Sequence, residues 1–141
     1  MVKYKFLEHT ADIKFQAFGK TLKKVFENSA FALRDSITKS KVKPLIKKDL
    51  GMQIEGRDLL GVLQDFLEEF LFLFETKGFL LSKFKKLKIK EKSGAYFIEC
   101  EVLGEKIKNH KIETHVKAVT YSEMFVRKEN KKWIAQVVLD I

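Results

Sequence analysis

The sequence predicts an α+β fold: antiparallel strands packed against two main helices in a single-domain sandwich. Two stretches have apolar residues recurring every three or four positions, while several others, mostly in the second half, alternate with period two. The third observation is what lies between them. One proline (Pro44), seven glycines and no low-complexity linker or repeat occur in 141 residues, which favours one domain spanning residues 1–141. With 45% apolar residues and 13 phenylalanines, the chain can fill a core that buries roughly two thirds of its unfolded surface.

Ile13, Phe15 and Ala17 alternate with Lys14, Gln16 and Phe18, the period of a strand, and Gly19 ends it. Thr21 then caps a helix whose Leu22, Val25, Phe26, Ser29, Ala30 and Leu33 form one face. Period two returns from Leu50 to Glu55 and stops at Gly56. Asp58 is the N-cap of a second helix carrying Leu59, Leu60, Leu63, Phe66, Leu67, Phe70, Leu71 and Phe74. Val62, Phe72 and Leu73 widen that stripe, so the helix must be largely buried, and Gly78 suits its C′ position. Leu87 and Ile89 alternate with lysines, and Ser93-Gly94 turns the chain. Tyr96, Ile98, Cys100 and Val102 then share a face until Gly104-Glu105 interrupts. An extended run from Val116 to Val126, a turn at Glu129-Asn130 and a strand from Trp133 to Leu139 complete the chain.

Composition excludes several classes. The single Cys100 cannot form an intrachain disulfide, which favours a reducing, cytoplasmic setting. The N-terminus lacks the apolar core of a signal peptide. The most apolar segment, Leu59 to Phe74, is broken by Asp65, Glu68 and Glu69, whereas a membrane span needs about 20 nearly uncharged residues; no membrane partner is expected. The net charge of +9 could attract nucleic acid or an acidic protein. Yet only Arg34, Arg57 and Arg127 are arginine and the lysines spread along the whole chain, so a solvated surface is the better reading. Even the densest run, Lys83 to Lys90, alternates as an edge strand does.

Candidate chemistry lies at two places. His9-Thr10-Ala11-Asp12 precedes the first clear strand, and Val137-Val138-Leu139 leads into Asp140 and Ile141. An acidic residue at a strand entrance can simply form a turn. If the closing strand lies beside the strand after Asp12, however, oxygens of Asp12, Asp140 and Ile141 could hold a hard cation such as calcium, magnesium or manganese. Sequence alone does not show that adjacency. His110 and His115 fit neither a helical nor a strand pair and read as surface or loop residues; with one cysteine, a structural zinc site is not expected. Cys100 reads as a core thiol, and Asp65, Glu68 and Glu69 as a solvated helix face. There is no phosphate loop, nucleophile elbow or His-Glu-x-x-His pattern, so no catalytic residue is assigned.

These residues together resemble the archease family. The resemblance is carried by His9-Thr10-Ala11-Asp12-Ile13, Phe26-Glu27-Asn28-Ser29-Ala30 and Asp58-Leu59-Leu60 with Glu68-Glu69-Phe70-Leu71. Gly104-Glu105, Val116-Lys117-Ala118-Val119-Thr120-Tyr121 and Val137-Val138-Leu139-Asp140-Ile141 extend it to the end of the chain. It implies a non-enzymatic accessory protein that activates a tRNA-splicing RNA ligase, promoting the ligase's guanylylation and multiple turnover, and meets tRNA indirectly through that complex. It also implies a divalent metal site at Asp12, Asp140 and Ile141, calcium before magnesium or manganese, with His9 and Lys117 as partner-facing residues. The family's alternative role is as a chaperone or specificity modulator of a tRNA-modifying enzyme such as a methyltransferase. The sequence departs from the family pattern at Ser122, where many relatives carry histidine, and at His115, where an acidic residue is common.

Overall fold

A computed structural model describes residues 2–9 and 11–141; Thr10 of the His9–Asp12 motif lies outside the described residues. The elements run β1 (Tyr4–Leu7), β2 (Ile13–Gly19), α1 (Leu22–Ile37), β3 (Ile46–Glu55), α2 (Leu59–Lys77), β4 (Phe79–Lys92) and β5 (Ala95–Lys106). A 3-10 turn (Ile107–Asn109), β6 (Ala118–Glu129) and β7 (Lys132–Asp140) follow. All strand pairs are antiparallel, and the fold is α+β. The residues group into two compact units, Met1–Lys39 with Ile112–Ile141, and Ser40–Lys111.

The first unit holds the sheet ordered β1-β2-β7-β6, with α1 packed on β2 and β7. Register pairs Phe15 with Val137 and Ala17 with Ala135. All four are fully buried, as are Val25 and Phe26 of the helix. Each large side chain so buried contributes roughly 1.5–3 kcal/mol. The helix starts where expected: Thr21 accepts a hydrogen bond from the Lys24 backbone N–H at 3.1 Å. The turn into it is tight enough to need Gly19, since a Cβ there would lie 2.6 Å from the Val25 nitrogen.

The second unit holds the sheet ordered β3-β5-β4, with α2 packed on β4 and β3. Asp58 caps α2 by accepting from the Gly61 N–H at 2.9 Å. Gly78 ends the helix in the left-handed region, φ 63°, its N–H bonded to the Phe74 carbonyl. Leu50, Cys100 and Leu87 sit side by side in register, as do Met52, Ile98 and Ile89. Phe66 of α2 stacks on Phe84 of β4, and Phe70 meets the same ring edge to face.

Four local expectations are corrected. Tyr4–Leu7 forms β1, an edge strand whose mixture of Lys5 with exposed Phe6 masks its period. Strand β3 begins at Ile46, four residues before the alternation is visible, because Lys47, Lys48 and Asp49 obscure it. Gly104-Glu105 does not interrupt β5; Gly104 pairs with both Ile46 and Leu81. Conversely, Val116 is buried but precedes β6, which starts at Ala118.

Candidate functional site

Between β1 and β2 the chain bends at Ala11 and Asp12, with Ala11 at φ 65°. Antiparallel register then decides what meets this turn. Ile13 pairs with Leu139 and Ala118 pairs with Asp140. Asp12 and Asp140 therefore lie at the same end of adjoining strands. Lys117 also lies there, its N–H donating to the Asp140 carbonyl at 2.7 Å. Asp140, Ile141 and the Lys117 side chain are exposed.

His9 and Asp12 touch directly through imidazole Nδ1 and carboxylate Oδ1. They are partly sheltered, with side-chain exposures of 24% and 26%. The other imidazole nitrogen, Nε2, lies 2.7 Å from Glu123 Oε2. The second Glu123 oxygen accepts from Lys14 Nζ at 3.1 Å. The Lys14 ammonium first, and then His9, hold the Glu123 carboxyl below its usual range. Sequence reasoning missed Glu123, whose partners lie more than a hundred residues away in the chain. It is delivered by an irregularity in β6: pairing runs to Thr120 with Val138 and resumes at Phe125 with Gln136.

The donors at this end are oxygens: the Asp12 carboxylate, the Asp140 carboxylate and the backbone of Ile141. That chemistry suits a hard cation with water completing its shell. Among the described residues no three His, Cys, Asp or Glu side chains are gathered tightly enough to form a cage.

Other candidates resolve differently. His110, expected at the surface or in a loop, lies just after the 3-10 turn with a side chain only 5% exposed. Its Nε2 lies 2.9 Å from Glu105 Oε2 and its Nδ1 2.6 Å from Ser40 Oγ. The same Glu105 oxygen accepts from the Lys43 N–H at 2.7 Å. That backbone bond, followed by His110, holds the Glu105 carboxyl below its usual range. His115 is exposed, as expected. Burial, reinforced by Glu69 and Asp49, pushes the Cys100 thiol up to about 12, so it is no nucleophile at neutral pH. Asp65 pairs with Arg57 at 3.2 Å. In β4, Lys86 and Lys88 stand opposite Glu101 and Glu99, as in a solvated strand.

A model of the archease protein family matches residues 4–141. The chain belongs to the archease family. It is 43% identical to protein archease of Methanosarcina barkeri over 99% of this chain and 96% of that one. It is 39% identical to protein archease of Pyrococcus furiosus, with both chains fully covered. The solution structure of Methanobacterium thermoautotrophicum protein 1598 superposes with a TM-score of 0.84 at 35% identity, covering 99% of each chain. A crystal structure of an archease from Thermotoga maritima shares the fold, with a TM-score of 0.56 at 18% identity over 97% of this chain and 96% of that one. The archease assignment agrees with the α+β arrangement seen here. Among the described residues no helix is long and apolar enough to cross a membrane.

Proposed function

We propose that this chain is an accessory protein rather than a catalyst: a cytoplasmic activator of a tRNA-splicing RNA ligase that promotes the ligase's guanylylation and repeated turnover. Family membership supports the accessory role. The observation that carries the site is the strand register that sets Asp12 beside Asp140 at one sheet end. In this reading Asp12, Asp140 and the Ile141 backbone hold a divalent ion, calcium, magnesium or manganese. His9 and Lys117 border it on the side that meets the ligase, and tRNA is met only through that complex.

When bound, the ion supplies positive charge where nucleotide phosphates must be neutralised. The protein's own groups do the rest. His9 orients Asp12, and the surrounding lysines favour encounter with an RNA-bound partner. At limiting ligase, adding this protein should raise the number of ligations per enzyme in magnesium or manganese. Unchanged turnover in both metals would sink the proposal. Asp12→Ala should abolish the stimulation while leaving binding to the ligase nearly unchanged; lost binding with a normal fold would assign Asp12 to docking instead.

A second reading has one observation in its favour: the Thermotoga maritima archease is described as a possible chaperone. A chaperone or specificity modulator of a tRNA methyltransferase would raise that enzyme's fidelity or yield and leave the ligase's turnover untouched.

A further inference from the structure

We propose that Glu123 is the positioning residue of this sheet end, acting through His9 to set the Asp12 carboxylate for a divalent ion. The proposal rests on the reading that an ion binds at Asp12 and Asp140. His9 sits on a turn, where nothing in its own backbone fixes the imidazole. The ring is fixed because it is gripped from both sides, by Asp12 at Nδ1 and Glu123 at Nε2. Each ring nitrogen thus has a carboxylate oxygen as its neighbour.

What makes the grip possible is the shape of β6. In the sheet order β1-β2-β7-β6, Glu123 is separated from β2 by β7. A regular strand could not bring its side chain to His9 and Lys14. Between Thr120–Val138 and Phe125–Gln136 the register slips, so residues 121–124 stand opposite Val137 alone. Glu123 takes a left-handed backbone, φ 53°, a conformation unfavourable to a residue with a Cβ. It is held there from below: the Glu123 carbonyl accepts from Gln136 Nε2 at 2.7 Å, and Gln136 Oε1 accepts from Gln16 Nε2 at 2.9 Å. Gln136 is only 8% exposed, so this anchor is part of the packed sheet. A bulge that holds a strained residue through one buried amide, itself bonded to a second on the neighbouring strand, and aims it at a candidate site is a feature with a purpose.

Glu123 is not itself a ligand in this scheme. Both of its oxygens are engaged, one by His9 and one by Lys14. Its effect passes through the imidazole to Asp12 Oδ1, leaving Oδ2 as the carboxylate oxygen available to an ion. Groups that orient a metal ligand in this way change affinity by about 10- to 100-fold when removed.

The test is a titration of the full chain with manganese, followed by the paramagnetic resonance of the free ion. Glu123→Ala should weaken binding by about 10- to 100-fold. Glu123→Gln, which keeps an acceptor for His9 Nε2, should recover most of that loss. His9→Ala should weaken binding equally, and the double variant should be no worse than His9→Ala alone, because one residue acts through the other. Unchanged binding in Glu123→Ala, or additive losses in the double variant, would overturn the proposal while leaving the ion site standing. If the wild-type chain binds manganese no better than Asp12→Ala, the ion site itself fails, and Glu123 has nothing to position.

Discussion

Gly104 sits in the middle of the three-stranded sheet, paired on both sides, and a Cβ there would come within 2.7 Å of the Phe79 ring and collide with the Leu80 carbonyl. The obstacle on one side is backbone, which cannot swing away. Gly104→Ala should therefore cost about 1–3 kcal/mol, the usual range for overpacking, read as a lower urea midpoint at constant slope. Asp58 offers a milder contrast. Its carboxylate satisfies one orphan N–H of α2, so Asp58→Ala should cost about 1 kcal/mol and Asp58→Asn almost nothing. These two residues also differ in how openly the sequence declares them. A cap acts within three residues of itself, and Thr21, Asp58 and Gly78 were all readable from their neighbours. The need for glycine at 104 comes from other strands, and the sequence presents it as a break. Glu123 is the extreme case, since its role depends on a turn 114 positions away.

Among the elements, α2 is the most legible and carries the most packing. Its continuous apolar stripe predicts burial, and Val62, Leu63, Phe66 and Leu67 are all fully buried. Phe66 also meets Phe70 edge to face and stacks on Phe84, so Phe66→Ala should cost about 3–5 kcal/mol in a denaturation experiment. Strands are legible only where one face is apolar. In β2 the alternation is clean because Phe15 and Ala17 face α1. In β3 the charged residues at the start hide four positions of a regular strand. The irregular stretch of β6 was read as plain extended chain, because a bulge leaves no periodic mark of its own. Of the candidate site, Asp12 and Asp140 were named from sequence, and only the pairing of β2 with β7 could show that they meet. His9 was named as facing a partner, and the two carboxylates that grip it could not be read from the sequence.

The whole chain carries +9, and Glu105 and Glu123 are among the carboxylates tied to specific cationic or N–H partners. Glu105 and Glu123 both titrate below the ordinary value of 4.5 when folded. A depressed folded pKa gives stability that is fully present above the unfolded value and is lost as pH falls through the folded one. Thermal unfolding followed from pH 7 downward should show the midpoint falling below about pH 4.5. Glu105→Gln should already be less stable at neutral pH and should show a shallower acid decline. Equal stability of the two proteins at pH 7 would place the stabilisation elsewhere. The paired ends of the second unit carry a different kind of consequence. Ser40 and His110 are hydrogen-bonded, and just outside them the Glu113 N–H donates to the Ile37 carbonyl at 2.7 Å. The middle of the chain is thus an insertion with adjoining ends. On the ribosome, residues 40–111 can find every partner they need as soon as they emerge. Phe15 and Val25 must wait for β7, the last strand made, before their own sheet can close. Until then β2 is paired with β1 alone and its other edge stays open on a nascent chain, the state in which such a protein is most exposed to misassociation.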